Sequence, residues 1–143
     1  MEEVIKTAVQ GWFDKRLINI EAGQLKELFT SVKWAMQLTE EELHQAILNS
    51  SHMITYYENG KLVGLARSMD DGIYSANIDL VVVHKDYQGR GIAKQMILEL
   101  LSELSEVRYV SVSPNESVNV PLYKKCGFKI IEDGKVMQLV NQV

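Results

Sequence analysis

The stretch Val81–Leu101, "VVVHKDYQGRGIAKQMILELL", passes from a run of β-branched residues through a polar turn with two glycines into an amphipathic segment. Ile92, Ala93, Met96, Ile97, Leu100, Leu101 and Leu104 recur at helical spacing and form a broad apolar stripe that has to lie on a sheet. "RYVSVS" follows as a strand, so strand, crossover helix and strand make a βαβ unit, which predicts a parallel pair in the middle of the sheet. The start of such a helix carries unpartnered backbone N–H groups and the positive end of its aligned peptide dipoles. Gly89 and Gly91 would let a phosphate come close to the backbone, with Arg90, Lys94 and Lys85 supplying charge around it. The glycine pair taken alone reads equally well as a tight strand-to-helix turn.

Upstream of this junction the chain reads as strands. In "MITYYENGKLVGLARSM" the Asn59-Gly60 pair sits between two apolar runs, a strong hairpin signal because both turn positions favour positive φ. "MDDGIYSANIDLVVV" repeats the device at Asp71-Gly72, which predicts three consecutive antiparallel strands. Further back, Leu25, Leu28, Phe29 and Val32 share one helical face, and "TEEELHQAIL" gives Thr39 and Glu42 the spacing of a capping box. "RLINI" alternates like a short strand, while Val4 to Trp12 fits helix or strand. Downstream, "VPLYKKCGF" predicts a short helix with Pro121 in its first turn and Gly127 as its stop. "FKIIEDGKVMQLV" predicts a closing hairpin at Asp133-Gly134.

Composition narrows the function. A chain of 143 residues suits a single domain, 1–143, and a net charge of −4 argues against nucleic acid as the main partner. One cysteine, Cys126, gives no internal disulfide and fits a reducing, cytoplasmic setting; it reads as a small buried hydrophobe. The acidic N-terminus is unlike a signal peptide, no segment has the apolar length of a membrane span, and a soluble protein is expected. His44, His52 and His84 lack metal-ligand spacing, so hydrogen-bonding or solvated roles are expected and no metal. Asp70 and Asp71 read as turn-formers. Of the phosphate ligands, nucleotide triphosphate hydrolysis is disfavoured because "GRGIAKQ" lacks the hydroxyl that would hold magnesium. A dinucleotide site is weakly supported: Lys94 interrupts the small-residue pattern and the next strand ends "SVS".

Gln88-Gly89-Arg90-Gly91-Ile92-Ala93 matches the Q/R-x-x-G-x-G/A signature of the GNAT superfamily of acetyl-CoA-dependent N-acetyltransferases, and Leu122-Tyr123-Lys124-Lys125-Cys126-Gly127-Phe128 resembles its later segment. The resemblance runs from about Leu17 to the C-terminus; residues 1–14 lie outside it as an extra helix or strand. It implies an α/β (α+β) single-domain GNAT-like fold. In that fold a mixed, mostly antiparallel sheet of about six to seven strands is flanked by about four helices, with a parallel pair splayed at the cofactor site. Acetyl-CoA is the implied co-substrate and a primary amine the acceptor, and the family is compatible with a homodimer. By the same resemblance the backbone of Val81, Val82 and Val83 would pair with the pantetheine arm, and the amides from Gln88 to Ala93, with Lys94 beside them, would hold the pyrophosphate.

Acetyl transfer to an amine needs a base, an oxyanion donor and an acid at the departing sulfur. Asp79 is the candidate base because it shares strand parity with Val81 and Val83, although a capping or solvent-facing carboxylate is the alternative. A backbone N–H near Val82 or Val83 would meet the oxyanion. Tyr123 corresponds to the family's tyrosine at the departing thiolate; a core tyrosine anchoring the helix is the competing reading. Trp34, in the link between the first two helices, is a candidate acceptor contact or simple packing. Lys124 and Lys125 could meet the 3′-phosphate of CoA. An N-acetyltransferase working by direct transfer in a ternary complex is the leading reading, and an acyl-CoA-binding regulatory module the alternative.

Overall fold

The computed structural model describes residues 4–6, 11–15, 20–114 and 119–141. Its elements run β1 (Val4–Lys6), β2 (Trp12–Asp14), α1 (Ala22–Ser31), α2 (Glu40–Leu48), β3 (His52–Glu58), β4 (Lys61–Asp70), β5 (Ser75–Val83), α3 (Ile92–Glu103), β6 (Tyr109–Val112) and α4 (Val120–Lys125). The strands form one six-stranded sheet in sequence order, antiparallel from β1 to β5 and parallel between β5 and β6. The early segment that fitted helix or strand resolves as β1 and β2. "RLINI" falls mostly outside the described residues, only Ile20 being within them.

Helices cover both faces. Ile92, Met96, Leu100 and Leu104 of the α3 side pack with Phe13, Ile54, Val63, Ala76 and Ile78 on one face. Leu25, Leu28 and Phe29 of α1 and Leu43 and Ile47 of α2 pack with Met53, Leu65 and Val82 on the other. Fully burying each such side chain contributes about 1.5–3 kcal/mol, so the stripe that "IAKQMILELL" spells out is what fixes α3 to the sheet. The capping box of α2 is formed: Glu42 N–H donates to Thr39 Oγ1 at 3.1 Å, and Thr39 N–H to Glu42 Oε1 at 2.9 Å. Such a cap is worth ~1 kcal/mol. Asn59 (φ 52°) and Gly60 (φ 77°) make the expected tight turn, with Glu58 paired to Lys61.

Four expectations need correction. The parallel pair lies at the edge of the described sheet, because no strand of the described residues follows β6 on its free side. The Asp71-Gly72 connection is a longer loop, in which the Asp71 carboxylate accepts from the N–H groups of Ile73, Tyr74 and Ser75 at 2.8, 2.7 and 3.2 Å. An aspartate that captures its own following amides replaces the two-residue turn. The closing hairpin is absent: residues 128–141 are irregular, and Ile130, Ile131, Val136, Met137, Leu139 and Val140 are exposed. These apolar residues come as adjacent pairs, so no period-2 register would bury all of them on one face. Asp70, expected in a turn, ends β4 and accepts from Ser68 Oγ at 2.9 Å while lying 2.8 Å from His52 Nδ1.

Candidate active site

The site grows from an irregularity in β5. Leu65 pairs with Val82 and Arg67 with Asp79, so three steps along β5 oppose two along β4, and Leu80 takes φ 53°. This is a β-bulge, and a non-glycine residue in the left-handed region costs ~1–2 kcal/mol. The bulge inverts the alternation. Ile78 packs on the α3 face, yet three residues later so does Val81, and Val82 turns to the α1/α2 face. Among the described residues β6 ends at Val112, opposite Ile78, so Val81–Val83 lie beyond the reach of its pairing. Val81, Val82 and Val83 therefore run along a cleft whose other side β6 leaves open.

A cavity of about 560 Å³ fills this cleft. Its walls are Val81–Val83, the turn residues Lys85, Tyr87, Gln88, Gly89 and Gly91, the first turn of α3 with Ile92, Ala93 and Lys94, and Asn119, Leu122 and Tyr123 beside α4. Ser31, Val32 and Trp34 close it from the α1 end. The volume falls in the range of small-molecule sites, ~300–1,000 Å³. Gly91 is the N-cap of α3 at φ 80° and Gly89 stands at φ 81°, so both turns need the conformation that glycine adopts freely. Lys85 N–H donates to Ser31 Oγ at 3.2 Å, and Gln88 Nε2 donates to the Val83 carbonyl at 3.0 Å. These bonds tie the turn to α1 and to the strand end.

Tyr123 is 8% exposed and packs edge-on against Phe128, with ring centroids 5.8 Å apart. Burial, and then the neighbouring Cys126, pushes its phenol above the ordinary tyrosine value, so it stays protonated throughout the physiological range. Burial likewise raises the Cys126 thiol, with Lys94 opposing. A buried tyrosine lining a cavity that also holds a helix start and two lysines suits an acyl group carried on an anionic phosphate handle.

The sequence-derived residues separate here. Val81, Val82, Val83, Gln88, Gly89, Gly91, Ile92, Ala93, Lys94, Trp34 and Tyr123 come together on the one cavity. Asp79 and Arg90 do not line it. Parity would place Asp79 on the face of Val81 and Val83, but the extra residue of the bulge moves it to the other face. There its carboxylate accepts from Arg67 Nε at 2.6 Å and Nη2 at 3.4 Å, while Arg67 Nη1 donates to the Ala46 carbonyl of α2 at 3.2 Å. Arg90 turns away to Glu58, 3.0 Å from its Oε1. No carboxylate or imidazole stands among the described lining residues. Ser31, Tyr87 and Asn119 were missed, since nothing in their local sequence distinguishes them, while Val32 and Leu122 were read only as part of a helical face and of the later motif; folding brings all five to the cavity.

The family model described as the acetyltransferase (GNAT) domain matches residues 21–141. An uncharacterized N-acetyltransferase, ycf52, of Pyropia yezoensis is 35% identical over 122 residues, covering 81% of this chain and 69% of that protein. Among solved structures, a GNAT-family acetyltransferase of Streptococcus pneumoniae TIGR4 superposes with TM-score 0.77 at 27% identity, over 92% of this chain and 98% of that one. A structure from Deinococcus radiodurans R1 has the same fold at TM-score 0.79 and 22% identity, over 96% and 93% of the two chains.

Proposed function

The chain belongs to the GNAT family of acetyltransferases, and from that premise we propose that it moves the acetyl group of acetyl-CoA directly to a primary amine of a small molecule or peptide within a ternary complex. The observation that carries this reading is the convergence of Tyr123, the strand end Val81–Val83 and the glycine turn on a single cavity. The pantetheine arm pairs with the β5 backbone that β6 leaves free, and the pyrophosphate rests on the amides from Gln88 to Ala93, with Lys85 and Lys94 beside it.

The attacking amine must be neutral, and an alkylammonium with a pKa near ~10 has to lose a proton first. We assign this step to water in the cleft, because Asp79 is engaged by Arg67 off the lining and no other carboxylate stands there among the described residues. As the amine nitrogen bonds to the thioester carbon, the oxyanion meets a backbone N–H of Val82 or Val83, fixed in place before reaction. Collapse breaks the carbon–sulfur bond, and the electron pair leaves with sulfur. Tyr123 supplies the proton to that thiolate, a role supported by a phenol that remains protonated, and the proton that the nitrogen must still lose to become an amide passes through water to the tyrosinate. Trp34 borders the cavity at the α1 end and contributes an apolar wall for the acceptor. The single cysteine and acidic balance support a cytoplasmic enzyme with a non-nucleic-acid acceptor.

The test is calorimetric titration with acetyl-CoA followed by a panel of amines scored for acetyl-CoA-dependent thiol release. Binding with amine-dependent release is expected. Absence of binding at millimolar acetyl-CoA overturns the reading, and binding with no turnover on any amine moves the protein to the acyl-CoA-binding regulatory class.

A further inference from the structure

Arg90 lies between the two glycines of the turn, yet its side chain does not line the cavity and instead pairs with a buried carboxylate. Its Nη1 donates to Glu58 at 3.0 Å from Oε1 and 3.4 Å from Oε2, and its guanidinium stacks over the Tyr87 ring at 4.9 Å. We propose that Glu58 is a positioning residue for the pyrophosphate turn: by holding Arg90 it keeps Gly89 and Gly91 in the shape that faces the cavity. The proposal rests on the reading of that cavity as an acetyl-CoA site.

Gln88 ties the start of the turn to Val83 at 3.0 Å, but nothing packs on the glycines themselves. Gly89 and Gly91 have φ 81° and 80°, and a Cβ at either would meet nothing within 4 Å, so the backbone there stands clear of packing. Each glycine so ordered gives up backbone freedom worth ~1 kcal/mol or more. Arg90 is the side chain between them, and its anchor is rigid. The Glu58 side chain is 9% exposed, and its Oε2 also accepts from Tyr56 Oη at 3.0 Å. Tyr56 is fully buried, tilted on Phe13 at 4.8 Å, and so closely covered by Gly11 that a Cβ at Gly11 would collide with the tyrosine hydroxyl. Tyr56 remains a donor, its pKa pushed up to about 12 by burial and by the Glu58 carboxylate. A carboxylate taken out of water needs such partners, and removing one strands the other. The end of β3 thus fixes a turn that lies 32 residues later in the chain.

The experiment compares Glu58→Gln, Arg90→Gln and the double variant in acetyl-CoA titration, with S-acetylpantetheine, which lacks the pyrophosphate, as a second ligand. Both single variants are expected to weaken acetyl-CoA by ~10-fold, the double variant by no more than either, and S-acetylpantetheine to bind all of them as it binds the wild type. Arg90 is partly exposed, so Arg90→Gln folds and keeps the test valid even if Glu58→Gln does not. Multiplicative losses in the double variant would mean that Arg90 touches phosphate itself and would overturn the proposal. So would a lowered melting temperature with acetyl-CoA affinity unchanged, or an equal loss for both ligands. A wild type that binds no acetyl-CoA would refute the site itself, a result distinct from these.

Discussion

Changing Tyr123 to Phe removes one oxygen from a side chain that is 8% exposed and leaves its ring packed against Phe128 at 5.8 Å. Because the packing survives, stability should change by less than ~1 kcal/mol. The hydroxyl interacts with sulfur only as negative charge builds there, so acetyl-CoA affinity should stay within about two-fold. Turnover should suffer. A positioned acid contributes ~10²–10⁴-fold, and a thiolate leaving group with pKa ~8.5 needs less help than an alkoxide, which places the loss near ~10²-fold, or ~2.7 kcal/mol of barrier. The phenol is held above its usual value by burial, so the ratio of wild type to variant should stay flat from about pH 6 to 9. The assay is thiol release with 5,5′-dithiobis(2-nitrobenzoate) on the best amine of the panel, alongside calorimetric titration and thermal melting. Acetyl thioesters with more acidic thiols should narrow the gap. Turnover in the variant within two-fold of wild type, with affinity and melting unchanged, would refute the acid role and leave Tyr123 as a core residue.

Gly91→Val places a β-branched residue at φ 80°, where the neighbourhood is open, so ~1–2 kcal/mol of strain should appear in thermal melting; acetyl-CoA affinity should fall by ~10-fold or more. Unchanged affinity would remove the turn from the binding site. Asp79→Asn should leave the pH profile of turnover in place and lower the melting temperature, since it unpairs Arg67 from the β4–β5 bulge. A lost acidic limb would return Asp79 to the role of base. Asp71 accepts three loop amides, which lower its folded pKa beneath the ordinary 3.8. Its stabilising effect is therefore present above the unfolded value and lost as pH falls through the folded one, and Asp71→Ala should melt lower than wild type at pH 7 with the gap closing in strong acid. A gap independent of pH would exclude the charged bonds as its cause.

Much of this architecture is legible in local chemistry. Thr39 and Glu42 announced the start of α2, Asn59-Gly60 the β3–β4 turn, and the stripe from Ile92 to Leu104 the face that α3 buries, because each pattern expresses a constraint within one element. The cavity's own strand and turn were equally visible in "VVVHKDYQGRGIAK". The errors share a different origin. Asp79 was judged by strand parity, and the bulge at Leu80 broke that parity through pairing with β4, which no period in β5 alone records. Arg90 was read as a phosphate contact because it stands among the glycines, and its buried partner Glu58 belongs to another strand.

The sequence by itself determined that the chain buries amphipathic helices against a sheet, and that bare glycine amides open α3 at the end of an apolar strand. It also supplied the tyrosine downstream. These follow from the period of the apolar residues and the φ that glycine permits, both local properties. Tertiary structure alone decided which of the nearby charges face the cleft, since the direction of a side chain is set by strand register and by the burial of its partner. That is why Tyr123 lines the same cavity as the glycine turn, while the side chains of Asp79, close by in sequence, and Arg90, within the turn, are held elsewhere by Arg67 and Glu58.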